Sequence, residues 1–433
     1  MSNLHSRTSS HLERAKKVIP AGTSTMSKGY TRYVVGPSPL FVARAKGAHF
    51  IDLDGRRYLD FGMGLGACIL GYSYPEVNRA IRDALTTGII YTLPSYMEAE
   101  VAEQLLSYLP WAEQLRWAKN GTDVTSAAVR MARAYTGRDK VVHSGYHGWQ
   151  DWSVATTPPA LGVPESAKAL STSFTLDTAG TGEAMQLLAE RNVAAVVVEV
   201  AQRACIDDVP LRNLRRWCSE YGTILVFDEV LSGFRYRMGS ASEVEPDLGC
   251  YGKAIANGMP LSALVGKRDL MKLLEPNGVF FSGTFGGEVL SLAACRETLK
   301  VLEKDKVHER LRRMGWVLSE GVNDEAAELH ILGPVPGPYL PRNLQLSGDG
   351  ARTVFNWNFS PTEKDYFQQE CVKAGLLFIG AHNMSASHTW DDLQVAIGTY
   401  KHVLREMSAL GWDQEELGRR LEGPPTTPAY RMQ

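Results

Sequence analysis

The chain lacks the features that mark secreted, membrane-bound or nucleic-acid-binding proteins. Its 433 residues include six cysteines, and none stands in a CxxC pair or at metal-ligand spacing. This pattern argues against a disulfide framework and against a metal site. No apolar run approaches the roughly 18 residues that a membrane span needs. The formal net charge of −2 shows no excess of either sign, so neither nucleic acid nor a membrane surface is expected as a partner.

The composition is that of an ordinary globular protein, with 44% hydrophobic and 22% charged residues. The N-terminal residues Met1 to His5 lack the apolar segment of a secretory signal. Together with the scattered cysteines, this predicts a cytoplasmic protein. The length suggests two packed domains.

From residue 98 to 305, strand-like and helix-like segments alternate along the chain. The predicted helices are Glu98–Leu109, Val124–Tyr135, Gly182–Arg191, Leu211–Tyr221 and Val289–Glu303, and the predicted strands are Leu115–Lys119, Lys140–His143, Ala194–Val200 and Thr223–Phe227. This alternation predicts an α/β domain with a mostly parallel sheet flanked by helices.

After residue 305 the pattern changes to helices, short strands and a Gly/Pro-rich segment, Gly333–Pro341, which is typical of a smaller α+β domain. We therefore expect an N-terminal segment at 1–70 that joins the small domain, a large domain at 71–305, and the C-terminal small domain at 306–433.

One stretch carries the strongest chemical signal. The apolar strand Thr223–Phe227 ends on Asp228, and Lys253 stands alone among small residues further on. In an open parallel sheet, the carboxyl ends of the strands face the ligand crevice. A carboxylate there keeps the ring nitrogen of pyridoxal phosphate (PLP) protonated, and a lysine holds the PLP aldehyde as a Schiff base. The pair predicts a PLP enzyme in which Asp228 and Lys253 are catalytic.

Further candidate cofactor contacts lie at turns and strand ends. Gly121 and Thr122 lie between a strand and a helix, where free N–H groups bind anions, although such turns also favour Gly and Thr as caps. Tyr146 has a flat face to stack on a ring, but an isolated loop tyrosine is commonly only a packing residue. Val230 is an apolar candidate for the opposite ring face.

Substrate contacts are less sharply indicated. Glu199 lies at the end of a predicted strand, at the same sheet edge as Asp228. Arg32 and Arg235 are candidates to hold a substrate carboxylate, and a structural salt bridge is an equally good interpretation of each. His147, next to Tyr146, is assigned no chemistry.

The segment Gly62–Ala67 fits the GxGxxA dinucleotide pattern. A dinucleotide-binding turn must open directly into a helix, and here Gly71 and Pro75 intervene. We therefore expect a close-packed active-site loop at this position and no dinucleotide site.

With these residues in view, the chain resembles the class III aminotransferases of fold type I, and within them the glutamate-1-semialdehyde aminomutase-like branch. The likeness runs from Ile19–Gly22 to about residue 408, and its most specific motifs are Phe227–Val230, Gly233–Arg235 and Gly252-Lys253. The resemblance implies the fold type I PLP-dependent transferase fold. It also implies an internal aldimine at Lys253, an Asp228–pyridinium pair, a phosphate seat at Gly121 and Thr122, and ring stacking by Tyr146.

The resemblance implies two contacts that the residues alone do not indicate. Gln202 matches a residue near the phenolic oxygen of the cofactor, and Thr284 matches a threonine that reaches the phosphate of the neighbouring subunit. The second match implies a homodimer with shared active sites. Taken alone, the loop Ser282–Gly287 is equally compatible with a cap of its own helix. Glu288 stands where the family usually has asparagine, and no role is assigned to it.

Three functions are compatible with this set of residues. The first is ping-pong transamination from an amino acid donor to a small carbonyl acceptor. The alternative is intramolecular amino transfer of the glutamate-1-semialdehyde 2,1-aminomutase kind. The segment Phe378–Thr389 contains no acid, whereas the corresponding aminomutase stretch contains a glutamate, so the first reaction is favoured. The third is a regulator without turnover, against which the intact Asp228 and Lys253 argue.

Overall fold

The computed structural model describes residues 6–333 and 342–427. Met1 to His5 and residues 334–341 of the Gly/Pro-rich segment lie outside the described residues. The chain divides into two compact units. Unit 1 takes its described residues from Met1–Leu65, Leu70–Tyr74 and Glu309–Arg431, and unit 2 takes its own from Gly66–Ile69 and Pro75–His308.

The secondary structure is regular through both units. In the described part of the chain the strands are β1 (Val42–Lys46), β2 (His49–Asp52), β3 (Arg57–Asp60), β4 (Gln114–Ala118), β5 (Lys140–Ser144), β6 (Ser171–Ser173), β7 (Val193–Glu199), β8 (Ile224–Glu229), β9 (Leu248–Tyr251), β10 (Ser262–Gly266), β11 (Leu344–Ser347), β12 (Arg352–Trp357), β13 (Leu376–Leu377) and β14 (Ala381–Asn383). The helices are α1 (Ser6–Val18), α2 (Pro75–Leu85), α3 (Met97–Leu106), α4 (Gly121–Thr136), α5 (Asp151–Val154), α6 (Glu165–Lys168), α7 (Thr178–Ala189), α8 (Asp208–Tyr221), α9 (Arg268–Met271), α10 (Val289–Lys304), α11 (Val307–Glu328), α12 (Pro361–Lys373), α13 (Trp390–Ala409) and α14 (Gln414–Arg419).

Unit 2 is built on a sheet in the order β4-β10-β9-β8-β7-β5-β6. The strands from β6 to β9 pair in parallel, while β10 runs antiparallel to both of its neighbours. Every residue of β8 is buried, and so is every residue of β7 except Glu199. Such continuous apolar burial is typical of a parallel sheet covered on both faces. The predicted mostly parallel sheet flanked by helices is confirmed.

Helix α4 positions one side of the candidate site. Its buried face is rich in small residues, including Ala127, Ala128 and Ala132, which allows it to lie close across β7, β8, β9 and β10. It ends at Gly137 in the left-handed conformation, with φ 66°, as is common one residue past a helix. The N-terminus of α4 thereby sits at a fixed place against the sheet.

Unit 1 is an α+β structure, as predicted. One of its sheets has the order β1-β2-β3-β13 and the other the order β11-β12-β14. An aromatic cluster of Phe355, Phe367, Phe378 and Tyr400 fills the space between the second sheet and its helices, with ring centroids 5.4–5.9 Å apart. Edge-to-face pairs of this kind stabilise a core beyond their buried area.

Several elements differ from the sequence prediction. The short strands β6, β9 and β10 and the one-turn helices α5 and α6 were not predicted, because runs of three to five residues give too little periodicity.

The segment Gly62–Ala67 does not open into a helix, as expected from the sequence. It forms turns, and the next helix begins only at Pro75. None of the described helices combines the length and apolarity needed to cross a bilayer.

Candidate active site

The carboxyl edge of the parallel strands in unit 2 gathers the polar residues of the candidate site. Glu199 and Asp228 are direct partners in the register of β7 and β8. Tyr251 pairs with Glu229 at the end of β9, and Lys253 follows two residues later. Because parallel strands end at the same edge, the two acids and the lysine converge there.

A cavity of about 230 Å³ opens at this edge. Its lining residues are Asn120, Gly121, Thr122, Tyr146, His147, Gly148, Trp149, Glu199, Asp228, Val230, Leu231 and Lys253. The structure therefore brings together most of the residues singled out from the sequence, although they come from five separate segments of the chain. The roles assigned to them remain predictions.

Asp228 is held by two neighbours. Its side chain is almost fully buried, its Oδ1 accepts a hydrogen bond from the Val230 N–H at 3.0 Å, and its Oδ2 lies 2.8 Å from Nδ1 of His147. The other ring nitrogen of His147, Nε2, lies 3.1 Å from the carbonyl oxygen of Ser144. A carbonyl only accepts, so this contact places a proton on Nε2 and leaves Nδ1 facing the carboxylate of Asp228. The imidazole therefore fixes the orientation of the carboxylate.

The His147 ring is itself fixed by packing. It stacks on Trp152 with ring centroids 5.7 Å apart and meets His143 edge-on. Burial, with a smaller contribution from the nearby His147, lowers the pKa of His143 to about 3. His143 is therefore neutral at physiological pH. Sequence reasoning left His147 without a role, because the Asp228 contact joins segments 81 residues apart.

The start of α4 is shaped to receive an anion. Thr122 is buried, and its Oγ1 has no hydrogen-bond partner among the described residues. A buried hydroxyl without a partner is costly, and the free N–H groups of a helix N-terminus attract negative charge. The residues at this turn therefore fit a phosphate group.

Two glycines keep this turn open. A Cβ on Gly121 would lie 2.8 Å from Cγ1 of Val230. A Cβ on Gly148, whose φ is +109°, would overlap Oγ1 of Thr122. Larger residues would displace Val230 or Thr122 from the cavity wall. The close packing explains why a Gly-Thr turn and a Gly at 148 occur together here.

Lys253 lies in a strained turn. It begins the 3-10 segment Lys253–Ala256 with φ 42°, a left-handed conformation that costs a non-glycine residue energy and occurs at functional sites. The three following residues are fully buried, and this packing holds the turn. The lysine side chain is partly buried and lines the cavity.

Tyr146 and Glu199 lie on the same wall. The Tyr146 N–H donates to Oε2 of Glu199 at 3.4 Å, and 59% of the tyrosine is exposed. Gln202 stands next to this wall and donates to Oγ of Ser144 at 2.9 Å. These contacts fix the loop that carries Tyr146.

Three candidate residues lie elsewhere. Thr284 is exposed and lines a different cavity of about 520 Å³ in unit 2. Arg32 belongs to unit 1, in the 3-10 segment Tyr30–Arg32. Arg235 is completely buried and donates to the Gly66 carbonyl at 2.6 Å, so its guanidinium holds backbone inside unit 2. The described residues contain no group of three His, Cys, Asp or Glu side chains placed to bind a metal ion.

Glu288, which had no assigned role, caps helix α10. Its two oxygens accept from the N–H groups of Leu290 at 2.8 Å and Ser291 at 3.0 Å, and Oε1 lies 2.7 Å from Nζ of Lys119. Glutamate is not one of the residues that usually occupy an N-cap, so the sequence does not indicate this cap. No feature of the sequence indicates that Lys119, 169 residues away, is the partner of Glu288.

Comparison with known proteins gives one consistent result. A model of the family "Aminotransferase class-III" matches residues 31–388. A glutamate-1-semialdehyde 2,1-aminomutase of Thermodesulfovibrio yellowstonii is 35% identical over 74% of this chain and 79% of its own length. That of Desulforapulum autotrophicum is 33% identical over 92% and 98%. The solved structure of the Sphingopyxis sp. MTA144 FumI protein, in its PLP internal aldimine form, is 27% identical and covers 95% of this chain and 100% of its own, with a TM-score of 0.85.

Proposed function

We propose a reaction for this chain from one premise: it belongs to the class-III aminotransferase family and is a PLP-dependent enzyme of fold type I. The cavity at the carboxyl edge of the unit 2 sheet is its active site. The observation that carries this assignment is that Lys253, Asp228 and the partnerless hydroxyl of Thr122 line the same cavity. These groups match the aldehyde, the ring nitrogen and the phosphate of PLP.

The residues of the cavity divide the work of holding the cofactor. Gly121 and Thr122 bind the phosphate at the N-terminus of α4, and Tyr146 and Val230 contact the two ring faces. Gln202, whose side-chain amide donates to Oγ of Ser144, serves the phenolic oxygen. Asp228 would accept a hydrogen bond from the protonated ring nitrogen, and Lys253 would hold the aldehyde group.

The chemistry follows from two of these groups. When bound, PLP supplies a ring that takes up the electron pair left when the substrate's Cα–H bond breaks. Asp228, oriented by its contact with His147, keeps the ring nitrogen protonated, which stabilises that electron pair. The freed amine of Lys253 takes the proton from the substrate carbon and returns it to a second carbon. Glu199 and Arg32 are the proposed substrate contacts.

The comparisons favour intramolecular amino transfer over the intermolecular reaction that the sequence placed first. The curated relatives at 33–35% identity are named glutamate-1-semialdehyde 2,1-aminomutase. We accordingly propose that this chain moves an amino group between adjacent carbons of one small amino-aldehyde. Substrate and product then have the same composition, so no separate donor is consumed.

Intermolecular transamination is the second candidate, from an amino acid donor to a small carbonyl acceptor. The observation that favours it is the segment Phe378–Thr389, which contains no acid between Phe378 and Trp390. Substrate amino groups at that segment would lack a carboxylate partner.

A homodimer with shared sites completes the proposal. Thr284 is exposed, and large apolar side chains lie exposed on unit 2 in the segments 89–96 and 280–285: Ile89, Ile90, Tyr91, Leu93, Tyr96, Phe280 and Phe285. Exposed apolar surface of this kind is typical of a protein interface. In a symmetric dimer, Thr284 of each chain would reach the phosphate seat of the other. A cytoplasmic location remains a prediction from the sequence.

A product analysis separates the two reactions. The PLP-loaded enzyme is incubated with glutamate 1-semialdehyde alone, and in parallel with L-glutamate or L-alanine plus a carbonyl acceptor. Formation of 5-amino-4-oxopentanoate from glutamate 1-semialdehyde with no amino donor present supports the aminomutase. Release of one 2-oxo acid from the amino donor per amine formed supports the aminotransferase. Turnover in neither mixture, with a fully loaded enzyme, contradicts both.

A further inference from the structure

We propose that Lys119 is a positioning residue for PLP binding: with Glu288 it fixes the phosphate turn and the Lys253 loop of its own site against the start of α10. The inference rests on the proposed site at Gly121, Thr122 and Lys253. Lys119 is not among the residues that line that cavity, so its effect is exerted through its neighbours.

The ammonium of Lys119 has three acceptors. Nζ donates to Oε1 of Glu288 at 2.7 Å, to the Pro260 carbonyl at 3.0 Å and to Oγ of Ser291 at 3.2 Å. An ammonium has three protons, so this set uses its full capacity to donate. The side chain is only 18% exposed, and its long stem is therefore held in one geometry.

Lys119 and its acceptors lie in three segments of unit 2. Its own backbone directly precedes Asn120, the N-cap of α4 at the phosphate turn. Pro260 lies at the end of the loop that begins with Lys253, just before β10. Glu288 begins α10 and directly follows the Ser282–Gly287 loop that carries Thr284.

The same contact settles the charge of Glu288. Although burial raises the pKa of this carboxyl, hydrogen bonds from Lys119 and Ser291 outweigh it, and the net pKa is lowered. Glu288 is therefore ionised at neutral pH. Without Lys119, the carboxylate of Glu288, a residue that is 7% exposed, would lose its cation. Its negative charge would then be uncompensated near the turn that receives a phosphate dianion. Removing one member of a buried pair is costly for this reason.

Two consequences follow for variants. Lys119→Met both releases the three segments and leaves the negative charge, so it weakens PLP binding strongly. Lys119→Met combined with Glu288→Gln removes that charge while the Gln side-chain oxygen still caps α10. The double variant therefore binds PLP more tightly than Lys119→Met alone, a coupling that a double-mutant cycle measures. Lys119→Arg keeps the cation and restores part of the affinity.

The test is an equilibrium-dialysis titration of full-length apoenzyme with PLP, with the thermal midpoint of each apo variant measured beside it. Lys119→Met is expected to raise the PLP dissociation constant at least about tenfold, which corresponds to about 1.4 kcal/mol. The matched control is Arg215→Met. Arg215 forms an ion pair with Asp247 at 2.9 Å, and both side chains are about a quarter exposed. Asp247 directly precedes β9 and therefore lies at the sheet edge opposite Lys253. This control is expected to lower the thermal midpoint and leave PLP affinity within twofold.

The outcomes separate the inference from the proposed function. If wild-type apoenzyme does not bind PLP, both are overturned. If the wild type binds and Lys119→Met binds equally well, or loses no more than Arg215→Met, only the positioning role is overturned. A double variant that binds as weakly as Lys119→Met overturns the electrostatic part, because the charge of Glu288 would then have no effect.

Discussion

Nδ1 of His147 lies 2.8 Å from Oδ2 of Asp228, and Nε2 of the same ring faces the Ser144 carbonyl at 3.1 Å. This places a buried imidazole behind the carboxylate that we assign to the ring nitrogen of PLP. Both partners are buried, so the interaction is weakly screened. The imidazole orients Asp228.

His147→Asn should keep bound PLP but lower kcat about tenfold to a hundredfold. A hydrogen bond to a charged group contributes about 1.5–3 kcal/mol, and each 1.36 kcal/mol is tenfold in rate. The pH dependence of the bound-cofactor absorbance should shift as well, since the ring nitrogen loses part of its support. Steady-state kinetics and absorbance titrations check both effects.

The matched control for His147 is His308→Asn, a buried histidine of unit 2 whose Nε2 lies 3.0 Å from the Phe234 carbonyl. It should alter stability without moving the cofactor spectrum. An unchanged spectrum and rate in His147→Asn would show that Asp228 needs no partner.

Asp228→Asn should retain PLP and lose turnover. An amide cannot hold the proton of a pyridinium, and removal of a buried charge partner costs roughly two to four decades in rate. Bound PLP is measured by absorbance, and turnover by product formation with the better of the two substrate classes. Near-wild-type turnover would mean that another group protonates the ring.

The proposed dimer is tested by complementation between two inactive chains. A Lys253→Ala chain with intact Thr284 is mixed with a Thr284→Ala chain that keeps Lys253. Subunit exchange should give hybrids in which one site has Lys253 and receives Thr284 across the interface, so activity rises above the parental sum. Demonstrated exchange without such a rise would show that Thr284 does not act in trans.

Two buried histidines of unit 1 predict a loss of stability in mild acid. Burial is the main cause that lowers the pKa of His382 to about 3 and that of His388 to about 4. The unfolded chain binds these protons near pH 6.5 and the folded chain does not, so stability falls as pH drops below 6.5. At pH 5 each histidine should cost about 2 kcal/mol of unfolding free energy relative to pH 7 or above.

Denaturant unfolding at pH 7 and pH 5 measures this effect. His382→Gln should show a smaller difference between the two pH values than the wild type. The variant loses the contacts of His382 with Thr353 and Tyr400, so it is also less stable at pH 7. The difference in stability between the two pH values is therefore the informative quantity. Equal pH differences in the two proteins would contradict the assignment.

Much of the fold follows from local sequence patterns. The long helix α10 and the buried strands β7 and β8 were predicted within a few residues, because each has a strong apolar period or an unbroken apolar run. Helix α4 begins at Gly121, three residues before its predicted start, since Gly and Thr favour the turn as much as the helix. The antiparallel strand β10 was missed, because its five buried residues are indistinguishable from a short helix segment.

The site was predictable only in part. Asp228 and Lys253 follow strand ends, and strand ends share an edge in a parallel sheet. The contacts of His147 with Asp228 and of Lys119 with Glu288 join segments 81 and 169 residues apart. Side-chain partners at such separations are set by loop geometry, which residue spacing does not encode. These two pairs are therefore results of the structure alone.

The covalent attachment of PLP to Lys253 is the central claim, and chemical mapping tests it most directly. Borohydride reduces the carbon–nitrogen double bond between the lysine and the PLP aldehyde to a stable amine, which survives proteolysis and is located by mass spectrometry. The label is expected on the peptide that contains Lys253, and it should be absent from a folded Lys253→Ala protein. A label on any other lysine, or retention of the label in Lys253→Ala, would contradict the account.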